Sequence, residues 1–180
     1  MEYNDLSELI KSRRSCRNFA EKTINKELLY SIIDTAKNAP SACNSQPWKV
    51  YLTFTDDENA KMRECLQDNG RNKFLDTAKA FIAIYKKEGI SLKSGTEIKF
   101  KNSRFVEYDI GEFIAYITLL AKDKGLDSCI IGWVNNDKLN ESFLLKGECG
   151  VVVALGYAKE QETSEKKRNE LKEIIINYQE

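Results

Sequence analysis

The chain contains no histidine. That absence excludes Ser-His-Asp and Cys-His nucleophile sets, and it removes the side chain that most often acts as a general base near neutral pH. Its five cysteines, Cys16, Cys43, Cys65, Cys129 and Cys149, are widely spaced and include no CxxC pair. With no histidine to complete a ligand set they do not form a metal site, and they read as reduced thiols. Net charge is missing as well, because 28 basic residues balance 28 acidic ones. No global field therefore draws the molecule to nucleic acid or to an anionic membrane, and any anion site must be local. Long apolar runs are also absent: the longest, residues 81–85 and 151–155, fall far short of the ~20 residues a membrane helix needs. The first dozen residues mix acids with leucines and lack the progression of a secretory signal, so the chain is expected in the cytoplasm. Chemistry, if present, belongs to a cofactor.

What is present fits a soluble globular chain, with 42% hydrophobic and 31% charged residues, and residues 1–180 are expected to form one domain. Leu6, Leu9 and Ile10, then Leu28, Leu29, Ile32, Ile33 and Ala36, recur at helical spacing. Two amphipathic helices are predicted, flanking a basic cluster at 13–17. Residues 48–54, rich in β-branched and aromatic side chains, and the apolar runs 80–85 and 151–155 are candidate core strands. Val106, Ile110, Phe113, Ile114, Ile117, Leu120 and Ala121 form a wide apolar stripe on a long helix that Gly125 can terminate. Between residues 86 and 104 six bases outnumber the acids Glu88 and Glu97. This segment is either a solvated loop or a lid over an anionic ligand, and charge alone does not separate the two. Residues 171–178, with Ile174, Ile175, Ile176 and Tyr178, read as an arm.

Four segments carry possible chemistry. Arg13, Arg14, Ser15 and Arg17 place three guanidinium groups and a hydroxyl within five residues, which suits a dianionic phosphate; the plainer alternative is a solvated cluster. Residues 39–48 (APSACNSQPW) put both prolines and several side-chain amides just before a strand. They can hold a planar polar ring or simply cap the preceding helix. Residues 125–133 (GLDSCIIGW) combine a helix stop, an apolar run and a glycine that permits close backbone approach to a ligand. Finally, Lys166, Lys167 and Arg168 add positive charge after the last strand.

In this order and at these separations the segments resemble the nitroreductase family of flavoproteins over essentially the whole chain. The resemblance implies an α+β fold: a central, mostly antiparallel sheet flanked by helices, with C-terminal arms exchanged in a homodimer. It implies FMN as cofactor, with Arg13, Arg14, Ser15 and Arg17 on its phosphate together with Lys166 and Arg168. It further implies Pro40, Ser41, Ala42, Asn44 and Gln46 at the flavin across the dimer interface, Gly132 and Trp133 beside flavin N5, and Lys73 at the pyrimidine edge. Trp133 stands where many relatives have glycine, and it either narrows the pocket or packs as a core residue. The implied activity is hydride transfer from NAD(P)H through flavin N5 to a small oxidised acceptor. The alternative is a flavin carrier or sensor without turnover. Cys16 and Cys43 lie inside two of these segments, and arginines beside Cys16 favour a thiolate, so thiol chemistry is a further alternative.

Overall fold

The computed structural model describes residues 6–87, 104–160 and 165–179. Most of the basic segment between 86 and 104 lies outside the described residues. Helices α1 (Leu6–Ser12) and α2 (Lys26–Ala36) flank the basic cluster, as their apolar spacing predicts. Asn25 opens α2 by accepting the Glu27 N–H on its side-chain oxygen at 2.7 Å, satisfying one donor of the first turn.

Strand β1 (Trp48–Leu52) is two residues shorter than the predicted 48–54. The reason is local: the N–H groups of Phe54 and Thr55 donate to the Glu58 carboxylate at 2.9 and 3.0 Å instead of continuing a ladder. With the Thr55 hydroxyl accepting the Glu58 N–H, this is a capping box that starts helix α3 (Asp56–Leu66). That helix was not predicted, because its apolar positions are few.

Strand β2 (Ala80–Lys86) and the long helix α4 (Arg104–Asp123) follow. Gly125, at φ +79°, ends α4. Leu126 N–H donates to the Ala121 carbonyl at 2.8 Å and Gly125 N–H to that of Lys122 at 3.0 Å, the paired bonds of a Schellman stop. The chain then enters β3 (Asp127–Ile131), α5 (Asn136–Phe143), β4 (Cys149–Gly156) and a short α6 (Leu171–Ile174). α5 also escaped the sequence reading, since Leu139 is its one buried residue.

The four strands form one sheet in the order β1-β2-β4-β3, antiparallel at every pair. Alternate residues of the central strands feed two cores. Ile82, Ile84, Val153 and Leu155 meet α2 and α4 on one face, while Phe81, Ala83, Val152 and Ala154 meet Met62, Leu66 and Leu75 on the other. Burial on both faces is why β2 and β4 are unbroken apolar runs rather than alternating ones. Among the described residues no helix is long and apolar enough to cross a membrane.

The chain between α1 and α2 is tied to the end of this sheet. Cys16 N–H donates to the Ser128 carbonyl at 2.9 Å, Ala20 N–H to that of Tyr157 at 2.7 Å, and Lys159 N–H to that of Asn18 at 3.0 Å. Phe19, 1% exposed, lies over Gly156 so closely that a Cβ there would sit 2.5 Å from its ring. Gly156→Ala should therefore lower the unfolding free energy by about 1–3 kcal/mol, as overpacking typically does. Urea denaturation reads this directly, and a wild-type midpoint would refute the close contact.

Candidate active site

At the end of the sheet where β4 and α4 stop and β3 begins, a cleft of about 330 Å³ opens. Arg14, Ser15 and Arg17 line it, with Lys122 and Asp127 beside them. Lys122 and Asp127 form an ion pair at 2.8 Å with both side chains only 8% exposed, so this lysine's charge is largely matched by its own carboxylate. The segment after β4 brings more cations. The Lys166 ammonium donates to the Lys11 carbonyl at the end of α1. Burial holds the Lys166 pKa below its ordinary value, and repulsion from Arg13, Arg14, Arg168 and Lys122 lowers it further. Glu160 is the other acid of the lining. Guanidinium and ammonium groups from both ends of the polypeptide thus crowd one region, and an anion there would relieve their repulsion.

The site extends along β3. Ser15 bridges to Ser128, and the four residue steps from Ser128 to Gly132, just past the end of β3, span about 13 Å. Open space stands beside Gly132, where an added Cβ would meet nothing within 4 Å. Trp133 is half-buried, and the Arg71 guanidinium lies 4.7 Å from its ring centroid. The Arg17 guanidinium sits 5.8 Å from the Phe74 ring centroid, next to exposed Lys73 on the 3-10 turn Lys73–Thr77. Arg13, Arg14, Ser15, Arg17, Lys166 and Arg168 are therefore drawn together, with Gly132, Trp133 and Lys73 further along the same side.

The remaining sequence candidates lie elsewhere in the chain. Pro40, Ser41, Ala42, Asn44 and Gln46 belong to a turn in which Cys43, Asn44 and Gln46 have φ of 54°, 54° and 47°. Buried Asp109 of α4 fastens this turn by accepting the Ala42 N–H at 3.1 and 3.2 Å on its two oxygens. The Gln46 amide donates to the Asn44 side-chain oxygen at 3.1 Å. None of these residues lines the cleft of its own chain.

The arginine neighbours do not make Cys16 a thiolate. Burial, the largest influence, raises its pKa above the ordinary thiol value, outweighing the hydrogen bond it donates to the Asn18 carbonyl.

A model of the nitroreductase family matches residues 10–68 and 56–157. The chain belongs to that family. It is similar to YdgI of Bacillus subtilis (strain 168), 32% identical over 83 residues, although the match covers only 46% of this chain and 39% of YdgI. It is 24% identical to the 4-nitrobenzoate reductase of Pseudomonas putida across 89% of this chain and 88% of that protein. Among solved structures, a protein of Exiguobacterium sibiricum 255-15 in complex with FMN has the same fold. The TM-score is 0.79 at 20% identity, over 97% of this chain and 98% of that one.

In this nitroreductase-family chain, sequence reading missed Asp109 and the Lys122–Asp127 pair. Asp109 was legible, since it falls on the apolar face of α4 between Val106 and Phe113. Lys122 was not, because its partner becomes a neighbour only after the reversal at Gly125. Lys122→Met, which strands a buried carboxylate, should cost about 3–5 kcal/mol, and adding Asp127→Leu should recover most of it. Thermal and urea unfolding of the single and double variants test this; a double variant no better than the single would contradict the pairing.

Proposed function

We propose that the chain is an FMN-dependent oxidoreductase, acting as a cytoplasmic homodimer, that transfers hydride from NADH or NADPH to an oxidised acceptor such as a nitroaromatic, quinone or enone. The observation that carries this reading is the cleft at the sheet end, lined by Arg14, Ser15 and Arg17, with Arg13 and Arg168 close enough to Lys166 to add to the lowering of its pKa by burial. A dianionic phosphate answers that excess of donors and charge. The FMN complex of the Exiguobacterium sibiricum protein, which shares this fold, supports it.

When bound, FMN supplies the hydride chemistry at its N5. The chain's own residues bind and orient. Arg13, Arg14, Ser15 and Arg17, with Lys166 and Arg168, hold the phosphate. The backbone at Gly132 and Trp133 faces the reactive edge of the ring, where the missing Cβ of Gly132 leaves room. Lys73 stabilises negative charge on the pyrimidine edge.

The turn carrying Pro40, Ser41, Ala42, Asn44 and Gln46 serves the cleft of a second copy. With the Ala42 N–H occupied by Asp109, its contribution is the Asn44 and Gln46 amides and the rigid surface of Pro40 and Ser41. Leu171, Ile174 and Ile176, exposed at 60%, 62% and 105% in the single chain, form an arm that the second copy covers. Five unpaired thiols suit a reducing compartment.

Two measurements test the proposal. Arg17→Ala should weaken FMN binding about tenfold, the value of one charge-assisted contact, with little change in unfolding midpoint. Unchanged FMN affinity would reject the phosphate assignment. Anaerobic mixing of the FMN-loaded protein with NADH or NADPH should bleach the flavin absorbance rapidly. A protein that stays yellow with both is a flavin carrier, a reading favoured by the bulk of Trp133 at the ring edge.

A further inference from the structure

Arg71 has no role in the flavin contacts above, yet the loop that carries it is fastened on both sides of it. Its loop passes through left-handed backbone at Asn69, Gly70 and Asn72, with φ of 59°, 75° and 50°. For Asn69 and Asn72 this is a sparsely populated conformation that persists only where the surroundings enforce it. Four contacts do so. The Asn72 amide donates to the Leu66 carbonyl at 2.9 Å. The Gln67 amide donates to Asp76 at 2.7 Å. The Asn135 amide donates to Asp68 at 2.9 Å, while the Asn135 N–H reaches the Cys65 carbonyl at 3.2 Å. Asn135 lies two residues beyond Trp133, so the loop carrying Arg71 and the turn carrying Trp133 are tied to each other.

The tie fixes the Arg71 guanidinium 4.7 Å from the Trp133 ring centroid. Among the described residues no carboxylate pairs with Arg71, and the one acid of its own loop, Asp68, is engaged by Asn135. A guanidinium held over an indole is partly shielded from water by the ring, and its N–H groups remain available to a ligand. Those donors form a fork that matches a carboxylate, and the shielded face strengthens the bond they make. Preorganisation by the cross-tied loops lowers the entropy cost of using it.

Resting on the flavin reading of the Gly132 turn, we propose that Arg71 selects acceptors bearing an anionic group, a carboxylate above all, on a planar ring. The ring lies in the open space beside Gly132 and Trp133, and its anionic substituent is held at the guanidinium edge.

Benzoate and benzamide, two rings of similar shape that differ in charge, separate this from a merely structural role. Binding is read on the FMN-loaded protein from the perturbation of the flavin visible spectrum, without turnover. The wild type should prefer benzoate. In Arg71→Ala the ratio of benzoate to benzamide affinity should fall about tenfold, the value of one charge-assisted contact, while FMN content per chain is retained. Arg71→Lys, which keeps the charge without the planar fork, should recover only part of that ratio. In steady state the KM for 4-nitrobenzoate relative to nitrobenzene should rise in Arg71→Ala. Equal losses for benzoate and benzamide would overturn the proposal, as would a rise in KM confined to NADH or NADPH, which would assign Arg71 to the nicotinamide phosphates. A protein that takes up no FMN would defeat the flavin reading instead. The same pair of ligands, followed by tryptophan fluorescence, would then still decide whether Arg71 discriminates charge.

Discussion

The backbone tether between residues 16–20 and the ends of β3 and β4 is the constraint on which the site depends. Cys16 pairs with Ser128, Asn18 with Lys159 and Ala20 with Tyr157, and Phe19 fills the space that Gly156 leaves open. An arginine-rich stretch between two helices would otherwise be a solvated surface cluster contributing little. Tethered in this way, its side chains emerge where the sheet ends, beside the segment that returns after β4 with Lys166 and Arg168.

The electrostatics follow from that placement. The chain as a whole is neutral, so the site cannot draw on a global potential and must concentrate charge locally. It does so over a buried ion pair, Lys122–Asp127, that is neutral in sum and adds no net charge to the cleft. The excess sits above this pair, at the arginines and Lys166. Burial lowers the proton affinity of Lys166, and the crowded guanidinium groups lower it further. Further along β3 the character changes from charge to shape, with an open glycine, a half-buried indole and the rigid loop of Arg71.

Much of the fold was legible because it rests on periodicity. The stripes of α2 and α4 and the unbroken runs of β2 and β4 are consequences of burial on one face or on both. α3 and α5 escaped because neither carries a long apolar stripe: α3 buries Met62, Cys65 and Leu66 only in its second half and α5 buries Leu139 alone, and the clearest sequence sign of α3 is the Thr55–Glu58 capping box. Within the site, the clustered arginines could be read directly, and the resemblance to the nitroreductase family joined them to Lys166 and Arg168 across some 150 residues of sequence. What could not be read were contacts created by chain reversal: Lys122 with Asp127, Asn135 with Asp68, and Arg71 with Trp133. None of these pairs is announced by residue type or spacing, because each forms only when the chain reverses between or around its members.

The bonds that anchor residues 16–20 to the sheet end join main chain to main chain, and the further bond from the Phe19 N–H goes to the Thr77 hydroxyl, so none of them uses the side chain of Arg13, Arg14 or Arg17. Position and chemistry are thus encoded separately in this stretch. Replacing the guanidinium groups would change what the cleft attracts without unfastening the strand that presents them. A lineage carrying this scaffold can therefore revise its ligand one side chain at a time, while the architecture that holds the ligand stays as it is.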